Sequence, residues 1–345
     1  MTDKKTYRWL WNCLIAGGLL LLSGCADNNE DSPQPQPEEV SQLELRAVTR
    51  TDGATDYAGN QNIGIFLTTS TTSDFGQFVY STTGWSSTVS VKEERQYYIY
   101  GYMPSSITGS VSLSSGDLNN DYSNGADLTL SGMPAITSND ICVIVGVQRA
   151  TDTETSPTVS IGNYSYRSGI KGQNAINLLM AHLYSGLELK FMMGEEYSKL
   201  RSIHLKNVTL KCYFPTVDAS VNIRKGQGLG TPVFETTNGS SNSSREAVMH
   251  TEEKVLETAA DVITTNMAYC APILADTTTL TITSEYDVYD KSNNKLASRV
   301  SSNKVQIAPS ALKPGQKNTL TLTVKPTYLY ILSDEDLDSP TITVN

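Results

Sequence analysis

Three histidines, five cysteines without a close pair, and basic residues outnumbered 26 to 36 by acidic ones set the first limits on this 345-residue chain. His182, His204 and His250 stand far apart, so no H-E-x-x-H zinc motif is written here. His182 reads as a packed junction residue rather than a ligand, and no metal is expected. There is no G-x-S-x-G nucleophile elbow either. The formal charge is −10, and nearer −12 without the segment before Cys25, which carries three bases and one acid. Nucleic-acid binding needs a basic face, and this balance argues against it. After Cys25 no apolar run reaches the ~18 residues of a spanning helix. The later cysteines, Cys142, Cys212 and Cys270, are odd in number and lack metal-type spacing. Buried free thiols are the plain reading; one disulfide stays open.

What is present begins at the N-terminal end. Lys4, Lys5 and Arg8 precede the nine-residue apolar run Leu14–Leu22, and Leu22-Ser23-Gly24-Cys25 follows. Basic region, short apolar run and small residues before a cysteine have the layout of a lipoprotein signal peptide over residues 1–24. Cys25 is then the lipidated first residue of the mature chain, and acyl chains hold it to a membrane. Residues 25–40 contain acids and Pro33, Pro35 and Pro37, with no apolar period. They read as a disordered linker. The acidic run just after the cysteine resembles surface-export signals of some Gram-negative lipoproteins.

The rest is dominated by period-two alternation rich in Thr, Val, Ile and Tyr, cut by Gly, Asn, Asp, Ser and Pro. Strands are expected at Ser41–Thr49, Ile63–Thr68, Phe78–Tyr80, Gln96–Tyr102, Val111–Leu113 and Asp127–Leu130. Ile141–Gln148 is continuously apolar, as a central strand covered on both faces would be. The first half of 174–191 fits a buried helix or a buried strand, and Leu187–Phe191 alternates as a strand. Further strands are expected at Ser202–Cys212, Thr278–Tyr289, Val300–Ile307, Thr319–Val324 and Thr341–Asn345. Gly226–Ser244 reads as a long loop. The fold class expected is all-β, with antiparallel β-sandwiches in two domains, 41–181 and 182–345.

Other motifs are thin. Gly226-Gln227-Gly228-Leu229-Gly230 lacks the strand–turn–helix setting of a phosphate loop. Asp117–Asp121 begins like a calcium loop, but Tyr122 stands where glycine is needed and Leu128 where glutamate is needed. Asp334, Glu335, Asp336 and Asp338 read as a solvated turn. No convergent catalytic set is visible, so no enzyme and no cofactor are expected.

Several stretches resemble one family, the fimbrillins of type V pili and their associated lipoproteins. They are Thr49-Arg50, Gly64-Ile65-Phe66, Tyr97-Tyr98-Ile99-Tyr100-Gly101-Tyr102-Met103-Pro104, and Met180-Ala181-His182 leading to Leu187–Phe191. In the tail they are Leu312-Lys313-Pro314-Gly315, Thr319–Pro326 and Leu332–Leu337. The resemblance implies two transthyretin-like sandwich domains and a surface-exposed lipoprotein of the outer membrane and pilus. It implies an arginine-specific maturation protease that cuts past the first strand, and other pilin subunits as partners by donor-strand exchange. Carried to this chain, the cut would follow Arg46 or Arg50, with Arg50 favoured for access beside Asp52-Gly53. The donor would come from the tail, with Leu329, Ile331, Ile342 and Val344 as plugs. Anchor or tip members go uncut. The competing expectation is a surface glycan-binding lipoprotein on the same sandwiches.

Overall fold

A computed structural model describes residues 40–50, 61–92, 95–107, 109–117, 119–149, 175–213, 216–225, 228–236, 245–274, 279–308, 311–326 and 337–344. The signal-type segment, Cys25, most of the linker, Leu329, Ile331 and the acids Asp334–Asp336 lie outside the described residues.

The first part of the chain forms β1 (Val40–Gln42), β2 (Glu44–Arg50), β3 (Ile63–Thr68), β4 (Ser73–Ser81), β5 (Gly84–Ser87), β6 (Ser90–Lys92), β7 (Tyr98–Met103), β8 (Ser110–Ser115), β9 (Gly125–Pro134), β10 (Ile136–Thr137), β11 (Cys142–Arg149) and β12 (Ala175–His182). Then come β13 (Ser185–Met193), a four-residue helix α1 (Glu195–Ser198), β14 (Arg201–Cys212), β15 (Thr216–Arg224), β16 (Gly228–Leu229), β17 (Val233–Thr236) and β18 (Arg245–His250). The chain continues through β19 (Lys254–Leu256), β20 (Ile263–Thr264), β21 (Ala268–Cys270), β22 (Thr279–Asp290), β23 (Lys295–Gln306), β24 (Lys317–Lys325) and β25 (Thr341–Val344). The fold is an all-β sandwich. The ambiguous stretch before His182 is strand, not helix: β12 takes its backbone partners from β2 on one side and β11 on the other.

A seven-stranded sheet, β2-β12-β11-β7-β3-β4-β5, organises the first half. Every residue of β7 is buried. Ile99 and Met103 point into a core shared with Leu43, Leu45, Val48, Ile63, Ile65, Phe78 and Met180. Tyr98, Tyr100 and Tyr102 point the other way, into a larger core that reaches Leu128, Leu189, Leu210 and Ile282. Both faces of this sheet are therefore covered, which is why Ile141–Gln148 carries no polar alternation. A register shift between Ile144 and Gly146 reverses the alternation in β11, so Val147 joins Ile144 in the smaller core. The buried Tyr100 hydroxyl donates to the Tyr122 carbonyl at 2.6 Å.

One finding differs from the sequence reading. The expected loop 226–244 contains β16 and β17, both paired with β15, and Phe234 packs against the larger core. Backbone pairing along the free edge of β15 overrides the Gly- and Thr-rich composition there. The expected domain boundary falls in the link between β12 and β13. Two ladders cross that point: β15 pairs with β9, and β21 pairs with β10. Residues Glu39–Asn345 form one compact unit.

The second half builds a sheet β18-β14-β22-β23, with β19 beside β14. Its three long strands meet at Asp287 on β22, a nearly fully buried carboxylate. Lys206 on β14 and Lys295 on β23 both pair with it, Lys295 at 2.8 Å, and the Ser298 hydroxyl donates at 2.7 Å. Burial pushes this carboxyl up. The hydrogen bonds from Lys206, Lys295 and Ser298 outweigh burial and leave it lowered to about 2.

Two outcomes follow from this packing. A Cβ on Gly101 would collide with the Gly64 carbonyl oxygen on the neighbouring strand. Gly101→Ala should therefore destabilise by about 3 kcal/mol, since backbone must move. Gly84→Ala, at positive φ but in open space, should cost about 1 kcal/mol; urea unfolding of both variants checks the contrast. Asp287 has a depressed folded pKa, so its contribution is present above its unfolded value, near pH 4, and is lost as pH falls towards 2. The stability gap between wild type and Asp287→Asn should be widest at pH 5 to 7 and shrink towards pH 2, as read by denaturant titration at each pH.

Candidate functional site at the terminal strands

Both ends of the described chain carry an edge strand: β2 on β12 at the front, with β1 just before it paired to β6, and β25 on β24 at the back. At the front, β2 lies parallel to β12. Leu43, just before it, is held by an N–H···O bond to Val89 at 3.0 Å. Leu43, Leu45 and Val48 are all buried in the smaller core. Strict alternation would send residue 48 outward. It faces inward because Leu45 pairs with Ile176 and Ala47 with Asn177, which leaves Arg46 as an extra residue. This is a β-bulge. Arg46 and Ala47 are consecutively exposed there. Arg50 is the last residue of β2 and its backbone is paired with Met180; the Asp52-Gly53 turn after it lies outside the described residues.

At the back, β25 lies antiparallel to β24 over only four positions, with Ile342 opposite Val324 and Val344 opposite Leu322. Ile342 is buried and Val344 half-buried. Side chains from distant strands clip the approach to β25. Tyr197 donates its hydroxyl to the Leu337 carbonyl at 2.7 Å, and Arg201 pairs with Asp338 at 3.0 Å. Arg299 donates to the Asp338 carbonyl at 2.8 Å, and Tyr286 to the Pro340 carbonyl at 3.2 Å. The Asn303 amide reaches the Ile342 carbonyl from β23. Asp338, read from sequence as part of a solvated acidic turn, is thus half of a specific ion pair. Burial pushes the Tyr286 hydroxyl up to about 12, so it stays a donor across the physiological range. None of these clips is visible in sequence, since the partners lie 39 to 140 residues apart.

The two ends differ in how firmly they are held. Burying an aliphatic side chain stabilises by roughly 1.5–3 kcal/mol relative to exposure. The front strand places three such side chains in the core; β25 places one fully.

The titratable clusters complete the inventory. Asp117 accepts N–H bonds from Asn119 and Asp121, and Asp121 caps the turn at Tyr122–Asn124, so these acids hold loop backbone. His204 pairs with Glu253 at 2.8 Å and stacks on Tyr289. Burial pushes His250 below the usual histidine range. Cys142, Cys212 and Cys270 are buried free thiols. His182 is buried at the end of β12 against Asp140, Nδ1 to Oδ2 2.7 Å, with the Cys142 thiol 3.3 Å from the same carboxylate oxygen. Among the described residues this trio is the group of three or more such side chains that could hold a metal ion.

No family model and no curated protein matches the chain. Solved structures do resemble it. A fimbrial protein from Bacteroides vulgatus is 11% identical with a TM-score of 0.43, over 88% of this chain and 97% of that one. A candidate cell adhesion protein from Bacteroides fragilis is 10% identical with a TM-score of 0.39, over 91% and 92%. A candidate adhesin from Bacteroides thetaiotaomicron is 8% identical with a TM-score of 0.33, over 90% and 98%.

The tail clips have a measurable consequence. Tyr197→Phe leaves the Leu337 carbonyl without its buried donor and should cost about 1–2 kcal/mol. It should also speed limited proteolysis ahead of β25, while cleavage elsewhere keeps its wild-type rate.

Proposed function

We propose that this chain is a structural or adhesive subunit of a cell-surface pilus, non-enzymatic and exported as a lipoprotein through Cys25. Assembly proceeds by proteolytic removal of the first strand and insertion of a strand from another subunit. The observation that carries this reading is β2 itself. It is an edge strand whose loss would open a groove along β12, lined by Ile176, Leu178 and Met180. A row of unpaired N–H and C=O groups beside an apolar trough is a template for an incoming strand. An alternating donor restores both the ladder and the buried side chains.

Arg46 supports the reading from the other side. An arginine in a bulge is exposed where the ladder is already interrupted, and a protease that cuts after arginine needs such access. Arg50 is the second candidate. The donor is the lightly held β25, with Ile342 and Val344 as its plugs. A second reading, a surface glycan-binding lipoprotein, rests on Tyr80 and Trp85, whose rings lie 5.0 Å apart across the β4–β5 hairpin. Their planes are tilted by 58°, which offers a sugar an edge more than a flat platform.

Mass spectrometry of the protein sheared from its native cells tests the strand removal. A terminus at Ala47 or Thr51, shifted by Arg46→Lys or Arg50→Lys, is the expected result. An acylated Cys25 on all surface material would rule out removal of the first strand and leave an anchor subunit, an unassembled precursor or a standing surface binder. Changing Ile342 and Val344 to Asp should give folded monomer without filaments; normal filaments would rule out β25 as donor.

A further inference from the structure

We propose that Asp140, Cys142 and His182 form a divalent-metal site, selective for zinc, that pins β11 to β12. The strand ladder brings the three together. Cys142 and His182 are direct cross-strand partners in the antiparallel β11–β12 pair, so their side chains rise from the same face. Asp140 lies two residues before Cys142, and the period of two returns its side chain to that face. The ligand atoms are mutually close: Asp140 Oδ2 to His182 Nδ1 2.7 Å, Asp140 Oδ2 to Cys142 Sγ 3.3 Å, Cys142 Sγ to His182 Nδ1 3.7 Å. Tetrahedral zinc with ligands at about 2.0–2.3 Å requires ligand separations of ~3.3–3.6 Å. The Asp140–His182 pair must open by about 0.6 Å to meet that spacing, a small change in two side-chain torsions.

Charge favours the same assignment. All three residues are buried, and an isolated ion there is costly. A zinc ion with one thiolate, one carboxylate and one neutral imidazole is electrically neutral as a unit. The mixed sulfur, nitrogen and oxygen set suits zinc better than calcium or magnesium, which take oxygen ligands. On binding, Cys142 loses its thiol proton to solvent and Nδ1 of His182 coordinates, its ring proton residing on Nε2. Three protein ligands leave the fourth position to a water. Gly315, at the turn that leads into β24, donates its N–H to the Tyr184 carbonyl, and a Cβ there would lie 3.5 Å from the His182 ring, so the site sits near the β12–β13 link and that turn.

The position suggests a role. β12 is held by β2 on one side and β11 on the other. A metal at the β11–β12 end secures β12 against β11 whether or not β2 is in place. That role rests on the proposed strand removal; the metal site itself does not.

The test uses the full-length protein, purified reduced and metal-free, and titrated with zinc chloride or cobalt chloride alone. The expected result is one ion per chain, with thiolate-to-cobalt charge-transfer absorption and a rise in melting temperature with added zinc. Cys142→Ser and His182→Gln should weaken uptake at least tenfold and abolish the absorption band, and Asp140→Asn should weaken it less. His204→Gln, at the separate His204–Glu253 pair, should bind as wild type. Folding of each variant is checked by circular dichroism, and the cobalt spectrum of the wild type needs no variant at all. Absence of stoichiometric uptake by folded wild type, or a cobalt spectrum lacking thiolate charge transfer, overturns the site. Neither outcome touches the proposed strand removal, which the mass of the native N-terminus tests.

Discussion

Tyr98, Tyr100 and Tyr102 on one face of β7, and Ile99 and Met103 on the other, need two separate apolar partners. A strand buried on both sides cannot lie at the surface of a simple two-layer sandwich. The sheet that contains it must be enclosed, and the chain encloses it twice. On one side the β1–β6 pair and the residues next to it supply Leu43, Val89 and Val91. On the other, β9 and much of the chain beyond His182 supply the larger core. The pairing of β15 with β9 follows from this demand: a strand from late in the sequence completes the layer that covers the tyrosines. The close approach at Gly101 belongs to the same economy of space, since β7 and β3 meet where any side chain would collide with backbone.

The first and last strands stand apart from this enclosed centre. The pairs β2–β12 and β13–β24 are the parallel ladders among the described strands, and all other pairings are antiparallel. Parallel pairing frees β2 from any hairpin to its neighbour; loss of the front segment would break the β2–β12 ladder and release β1 from β6. β25 is short, buries one side chain fully, and depends on clips from Tyr197, Arg201, Tyr286, Arg299 and Asn303. Hydrogen bonds of this kind contribute about 1 kcal/mol each. The Asp140–Cys142–His182 trio occupies the opposite regime, fully packed at the end of two central strands.

Local pattern carried much of the fold. Ile63–Thr68 and the strands now seen as β7, β11, β14, β22 and β24 are legible because alternation or a continuous apolar run reflects which faces are buried. β15 was not among the expected strands, although Val217, Ala219, Val221 and Ile223 stand at every second position; the Gly-rich stretch that follows masked it. β18 is harder, because exposed Val248 interrupts the expected order and a register shift sits beside it. At the front strand Leu43 and Leu45 keep the period of two and Val48 breaks it. The bulge at Arg46 that reconciles their uneven spacing needed the partner strand.

By itself, then, the sequence determined the all-β class, the doubly buried central strands, the two terminal strands and their apolar residues, because all of these depend on side-chain period along one segment. The tertiary structure decided what depends on register between segments. It made Arg46 the extra residue, set Ile342 opposite Val324, ran the β9–β15 ladder across residue 182, and closed Arg201 onto Asp338. It also brought Asp140 and Cys142 within hydrogen-bonding reach of a histidine forty residues further along. Backbone pairing has no sequence code of its own, so which residues end up opposite each other is fixed only when the sheets close around their cores.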